Sequence, residues 1–215
     1  MSKLYTFRRG AVVPSYSVAR DIPITDIASP NTVELPISAE HEKFTVLVNG
    51  GDAVLCGQLI AEGRDGQTFV YSSVSGSVKA FSSRKDIAGN SFDTIIISND
   101  GKYTPAQTCV PHSKKLSETT PDEIIDKVRH FSIRTDSGEA LSDILKRASQ
   151  NTRRFILITA SDGAYSTINY RLSIDKANDV INGAKIIMRA LGVVNTDVAF
   201  GEDDTEAANA LSESV

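Results

Sequence analysis

The spacing of apolar residues along this chain changes period once, near residue 120. Before that point the apolar positions come in short runs. Phe44–Val48 alternates, Ala53–Leu55 and Gln58–Ala61 are brief, and Phe69–Tyr71, Ser77–Phe81 and Thr94–Ile97 follow. Gly50-Gly51-Asp52, Gly57, Gly63, Asp65-Gly66, Gly76 and Asp100-Gly101 punctuate them. Short strands at close spacing with glycine turns predict a small barrel or sandwich. Residues 40–100 are therefore expected to form a compact β module with Gly51 and Gly76 at turns. Residues 102–119, with Pro105 and Pro111, carry no period and read as a connection.

After residue 120 the pattern is helical and strand-like by turns. Thr120-Pro121-Asp122-Glu123 is a capping box with proline at the first helical position, so a helix is expected through about His130. Asp136-Ser137-Gly138-Glu139 starts a second, capped by Asp136 or Ser137, with Leu141, Ile144, Leu145 and Ala148 on one face. Arg154–Thr159 and Val194–Phe200 read as strands. Between them Ala177, Val180, Ile181, Ala184, Ile187, Met188 and Leu191 form a helical stripe closed by Gly192. Thr205–Leu211 is a short last helix. Strands alternating with helices predict a parallel α/β layer. The expected organisation is two domains, residues 1–115 and 116–215.

Composition narrows the function classes. The net charge of -4 disfavours a nucleic-acid binder. No apolar run is long enough to span a bilayer, and no apolar segment follows the basic N-terminal residues as in a signal peptide, so a cytoplasmic protein is expected. Cys56 and Cys109 are too few for a four-thiolate cluster, and His41, His112 and His130 show no metal-ligand spacing, so no metal site is expected. No catalytic constellation is found. Charge is uneven, with Lys3, Arg8, Arg9 and Arg20 near the start and Glu202, Asp203, Asp204, Glu206 and Glu213 near the end. These are the electrostatic handles expected for a protein partner.

Val46 to Glu62 has the rhythm of an apolar strand, a Gly-Asp turn, a short strand, a Gly-Gln turn and a second apolar strand, followed by Val74-Ser75-Gly76-Ser77-Val78. This resembles the barrel-sandwich hybrid of biotinyl and lipoyl carriers. In those carriers the following hairpin holds the modified lysine; here it reads Glu62-Gly63-Arg64-Asp65-Gly66, so a docking module is expected rather than a carrier.

With Phe7-Arg8-Arg9-Gly10 before it and Ile96-Ile97-Ser98-Asn99-Asp100-Gly101 after it, the order of parts resembles RnfC. RnfC is the membrane-associated soluble subunit of a bacterial ion-translocating NADH–ferredoxin electron-transfer complex. The likeness runs over about residues 5–211. It implies an α+β chain: an N-terminal β-rich barrel-sandwich hybrid domain, then a Rossmann-like α/β domain related to the flavin-carrying subunit of respiratory complex I.

The family's flavin site has two pieces. At the position of its glycine-rich phosphate loop stands Thr135-Asp136-Ser137-Gly138-Glu139-Ala140-Leu141, where Gly138 alone matches. Carboxylates at a helix start stabilise it by about 0.3–1 kcal/mol each and repel a phosphate. At the position of the nucleotide motif, Ile158 to Arg171 keeps Ala160, Tyr165, Thr167 and Arg171, but Ser161 and Gly163 replace both motif glutamates. The resemblance thus implies a vestigial FMN and NADH site at Gly138, Ala160, Tyr165, Thr167 and Arg171. The expected function is a cofactor-less docking or scaffold paralogue that meets a redox protein or electron-transport complex subunit peripherally at a membrane complex. The alternative is an FMN-binding electron-transfer subunit acting with NADH and a partner iron–sulfur protein.

Overall fold

The computed structural model describes residues 19–37, 44–64, 66, 68–107, 114–159, 166–201 and 204–215. The chain is α+β with an N-terminal β domain. Its described residues group into two compact units. One is Ile27–Arg153 with Arg189–Val193; the other joins residues 19–26 to Arg154–Met188 and Val194–Val215.

The first unit begins with two antiparallel sheets. Strands β1 (Thr32–Pro36), β7 (Ser91–Asn99), β6 (Gly76–Lys85) and β3 (Ala53–Val54) lie side by side in that order. Strands β2 (Phe44–Val46), β4 (Leu59–Gly63) and β5 (Phe69–Tyr71) form the second sheet. One core holds them together. Ile60 and Ala61 of β4 pack with Val54, Val78, Ile95 and Ile97 of the other sheet, and Ile60, Ile95 and Ile97 are fully buried. This is the apolar-in alternation that a half-buried antiparallel strand requires. β1 begins before the expected β module. It pairs Val33 with Ile97 and Leu35 with Ile95, and Pro36 is tolerated because β1 is an edge strand.

The two half-motif turns are built alike. In Asn49–Asp52 the Asp52 amide donates to the Asn49 carbonyl at 3.1 Å, and the Asp52 carboxylate takes the Asn49 amide at 2.7 Å. In Leu55–Gln58 the Gln58 amide donates to the Leu55 carbonyl at 3.0 Å, and Gln58 Oε1 takes the Leu55 amide at 2.9 Å. Gly51 and Gly57 occupy the same third position with φ of 89° and 79°, which a type II turn reserves for glycine.

Gly51 sits at a turn as expected; Gly76 does not. Gly76 opens β6, and a Cβ there would lie 1.9 Å from the Ser98 carbonyl oxygen of β7. Close backbone approach, not turn geometry, requires this glycine.

Two helices belong to the same unit. Helix α1 (Pro121–His130) carries the expected capping box: the Glu123 amide donates to Thr120 Oγ1 at 3.3 Å and the Thr120 amide to Glu123 Oε2 at 2.7 Å. It ends in a Schellman motif, with the Ile133 amide on the Val128 carbonyl and the Ser132 amide on the Arg129 carbonyl. Ser132 takes the left-handed position at φ 50°, and its Oγ accepts the Phe69 amide of edge strand β5 at 2.7 Å. Helix α2 is Leu141–Ser149.

In the second unit, β8 (Phe155–Ile158) and β9 (Thr196–Ala199) pair in parallel. Helices α3 (Ile168–Asp175), α4 (Ala177–Leu191) and α5 (Thr205–Glu213) complete it. Ala177, Ile181 and Leu211 form a small core with Val180, Val198 and Ala210 against it. Gly192 ends α4 at φ 67°, as its position implied. Among the described residues no helix is long and apolar enough to cross a membrane.

Candidate functional site

The expected phosphate-loop position lies in the first unit, at the approach to α2. Residues 135–138 make a tight turn in which the Gly138 amide donates to the Thr135 carbonyl at 2.8 Å, with Gly138 at φ 83°. The Thr135 amide returns to the Glu139 carbonyl at 2.9 Å. Neither Asp136 nor Ser137 caps the helix, contrary to expectation. The left-handed Gly138 reverses the chain first, so α2 starts only at Leu141, with Ala140 at its N-cap and no side-chain cap bond.

A cavity of about 200 Å³ opens beside this turn, lined in part by Thr68, Arg129, Arg134, Gly138, Glu139 and Asp143. Both arginines already have partners. Arg134 Nη1 donates to the Gly138 carbonyl at 2.9 Å, and Arg129 pairs with Asp126 at 2.8 Å. Glu139 pairs with Arg147, and Asp143 sits in the first turn of α2. The amide of the one matching glycine is thus used inside its own turn, and the helix start carries acids.

The nucleotide-motif positions fall in the second unit. Ala160 and Tyr165 lie outside the described residues. Thr167 is the N-cap of α3, with no side-chain cap bond, and its carbonyl accepts the Arg171 amide at 2.9 Å. The Arg171 guanidinium is bonded to Asp175 one turn later. Its Nε is buried and has no hydrogen-bond partner among the described residues. Thr167 and Arg171 therefore share the first turn of one helix. Gly138 belongs to the other unit.

Other expected features resolve individually. Lys3, Arg8 and Arg9, His41 and His112, and Cys109 lie outside the described residues. Arg20 is engaged within the chain, bonded to Asp204 at 2.7 Å. The two charged ends expected to meet partners meet each other at this pair. Cys56 donates weakly to the Ser73 carbonyl. His130 packs among aromatic rings, 5.0 Å from Phe69 and 5.8 Å from Tyr71.

Sequence reasoning missed one polar junction. Ser75, almost fully buried, donates to Asp100 Oδ1 at 2.7 Å and accepts the Thr104 amide at 2.9 Å. Its hydroxyl is the first cause holding the Asp100 carboxyl below its ordinary range. The Val-Ser-Gly run carried a signal for this loop, but not its contact 25 residues away.

Residues 5–102 match the family model for the RnfC barrel sandwich hybrid domain. The chain is RnfC-like. It is similar to the RnfC subunit of the Na(+)-translocating ferredoxin:NAD(+) oxidoreductase complex of Acetobacterium woodii, at 25% identity over 96% of this chain and 48% of that protein. It is also similar to the corresponding subunit of the proton-translocating ferredoxin:NAD(+) oxidoreductase complex of Clostridium ljungdahlii, at 28% identity over 94% of this chain and 46% of that protein. The corresponding subunit of the ion-translocating oxidoreductase complex of Rhodobacter capsulatus is 28% identical over 95% of this chain and 41% of that protein. The RnfC-like chain thus spans about half the length of these relatives. The likeness covers both units, well beyond the barrel.

Proposed function

We propose that this RnfC-like chain is a cofactor-less docking or scaffold component of a bacterial electron-transfer system, meeting a redox subunit of an ion-translocating oxidoreductase complex on its cytoplasmic side. Three relatives of matching order are named as subunits of such complexes, which supports the partner class. We further read the region from about residue 116 as a Rossmann-like remnant of the flavin domain. The parallel β8–β9 pair with its helices supports that reading.

The observation that carries the cofactor-less reading is the donor set around Gly138. A phosphate site at a helix start works through free amides and the positive end of the helix dipole. Here the Gly138 amide is bonded to the Thr135 carbonyl, Arg134 is turned onto the Gly138 carbonyl, and Glu139 and Asp143 stand at the start of α2. That set is a poor fit for an FMN phosphate, and on this reading no electron-transfer step runs through FMN. Gly138, Ala160, Tyr165, Thr167 and Arg171 are then the inherited outline of the site.

What such a chain offers is contact. Affinity capture of the tagged full chain from native lysate of its source is expected to recover a flavin- or iron–sulfur-carrying subunit, with recovery falling as salt approaches 1 M, where the screening length is about 3 Å. Recovery of no redox protein at either low or high salt would contradict the proposal.

A further inference from the structure

Residues 19–26 stand far from the rest of their unit in sequence, because Ile27–Arg153 intervenes before the unit resumes at Arg154. They are nonetheless fastened at two points. The Arg20 guanidinium carbon lies 3.9 Å from the centroid of the Tyr170 ring on α3, and its Nη2 donates to Asp204 Oδ1 at 2.7 Å just before α5. Four residues on, the Ile24 amide donates to Asp175 Oδ2 at 2.8 Å, at the last residue of α3.

Each anchor is itself held. Asp204 Oδ2 takes the Gly201 amide at 3.2 Å, Tyr170 donates its hydroxyl to Glu206 Oε2 at 3.1 Å, and Asp175 is bonded by Arg171. Both ends of α3 are therefore engaged. A guanidinium over an aromatic face, with its charge also paired, is a strong single anchor for an extended segment.

We propose that residues 19–26 are a strap that clasps α3 to the start of α5, with Arg20 and Ile24 as its two pins and Arg171 as the positioning residue that orients Asp175 for the second pin. The Asp175 carboxyl is held below its ordinary range, first by the Ile24 amide and then by Arg171, as this arrangement requires. The strap joins the two chain segments that flank the β-rich unit, so the second unit depends on residues that precede that unit. This inference goes beyond the proposed function and does not rest on it; it involves neither FMN nor a redox partner.

The test uses trypsin on the full chain. Cleavage after Arg20 requires the side chain to leave Tyr170 and Asp204, so the native chain is expected to be cut there at least about ten times more slowly than the urea-unfolded chain. Asp204→Asn and Tyr170→Leu are each expected to raise that rate several-fold. Amide exchange gives the second readout. Ile24 is expected to be protected in the native chain and to lose protection in Asp175→Ala, and partly in Arg171→Ala, while the Ile95 amide of the β-rich unit stays protected. Should a variant fail to fold, Ile95 reports it and the native-chain measurements decide. Cleavage after Arg20 at the unfolded rate, an unprotected native Ile24 amide, or folded variants that change neither readout would each overturn the strap.

Discussion

Gly76 and Ser98 face each other across the β6–β7 ladder so closely that a Cβ on Gly76 would stand 1.9 Å from the Ser98 carbonyl oxygen. Backbone on both sides leaves nothing flexible to give way. Gly76→Ala is expected to lower stability by about 1–3 kcal/mol or more, as overpacking does. Gly50→Ala, with open space around the built Cβ, is expected to change little. Urea unfolding of the two variants side by side checks this, and equal effects would contradict it.

The start of α1 carries a titration signature. Glu123 is lowered to about 2, first by the Lys114 side chain and then by the Thr120 amide. A carboxyl depressed in the folded state stabilises it above the ordinary carboxylate range, and that contribution is lost as pH falls through about 2. A carbon-detected NMR titration is expected to place the Glu123 midpoint near 2 and to move it upward in Lys114→Ala. A wild-type midpoint in the ordinary range would contradict the geometry.

Ser132 separates strain from bonding. Its left-handed φ of 50° costs a non-glycine residue, while its Oγ satisfies the Phe69 amide on the edge of β5. Ser132→Ala keeps the strain and loses the bond, so a loss of about 1 kcal/mol is expected. Ser132→Gly loses the bond but relieves the strain, so it should cost less. Melting temperatures in the reverse order would show that the hydroxyl is not what fixes this junction.

The N-cap gives a simpler case. Thr120→Ala removes the acceptor for the Glu123 amide and is expected to cost about 1 kcal/mol, while Thr120→Ser is expected to be nearly neutral. Thermal unfolding distinguishes them.

These residues also mark how far the sequence alone reaches. The capping box at Thr120, the stripe along α4 and the twin turns at Asp52 and Gln58 are local, with partners three or four residues apart, and each was legible. β1 was hidden because Glu34 and Pro36 break an apolar run whose logic is an edge strand against β7. α3 was missed because its apolar Ile168 and Leu172 face outward while Tyr170 and Ser173 are buried. The Schellman end at Ser132 carries no glycine to announce it. At the candidate site, Gly138 was rightly singled out for its backbone, but its left-handed turn delays α2 by two residues and undoes the expected cap. Arg20 was assigned to a partner because its own partner stands 184 residues away.

The central claim is that the outline of a flavin site persists here without the chemistry to hold flavin, and direct titration with FMN reads it most plainly. Protein purified without denaturation is expected to show no flavin bands in the visible spectrum. Its addition to micromolar FMN is expected to leave flavin fluorescence without a saturable change. Yellow protein as isolated, or tight stoichiometric binding, would contradict the account and make the electron-transfer reading the better one.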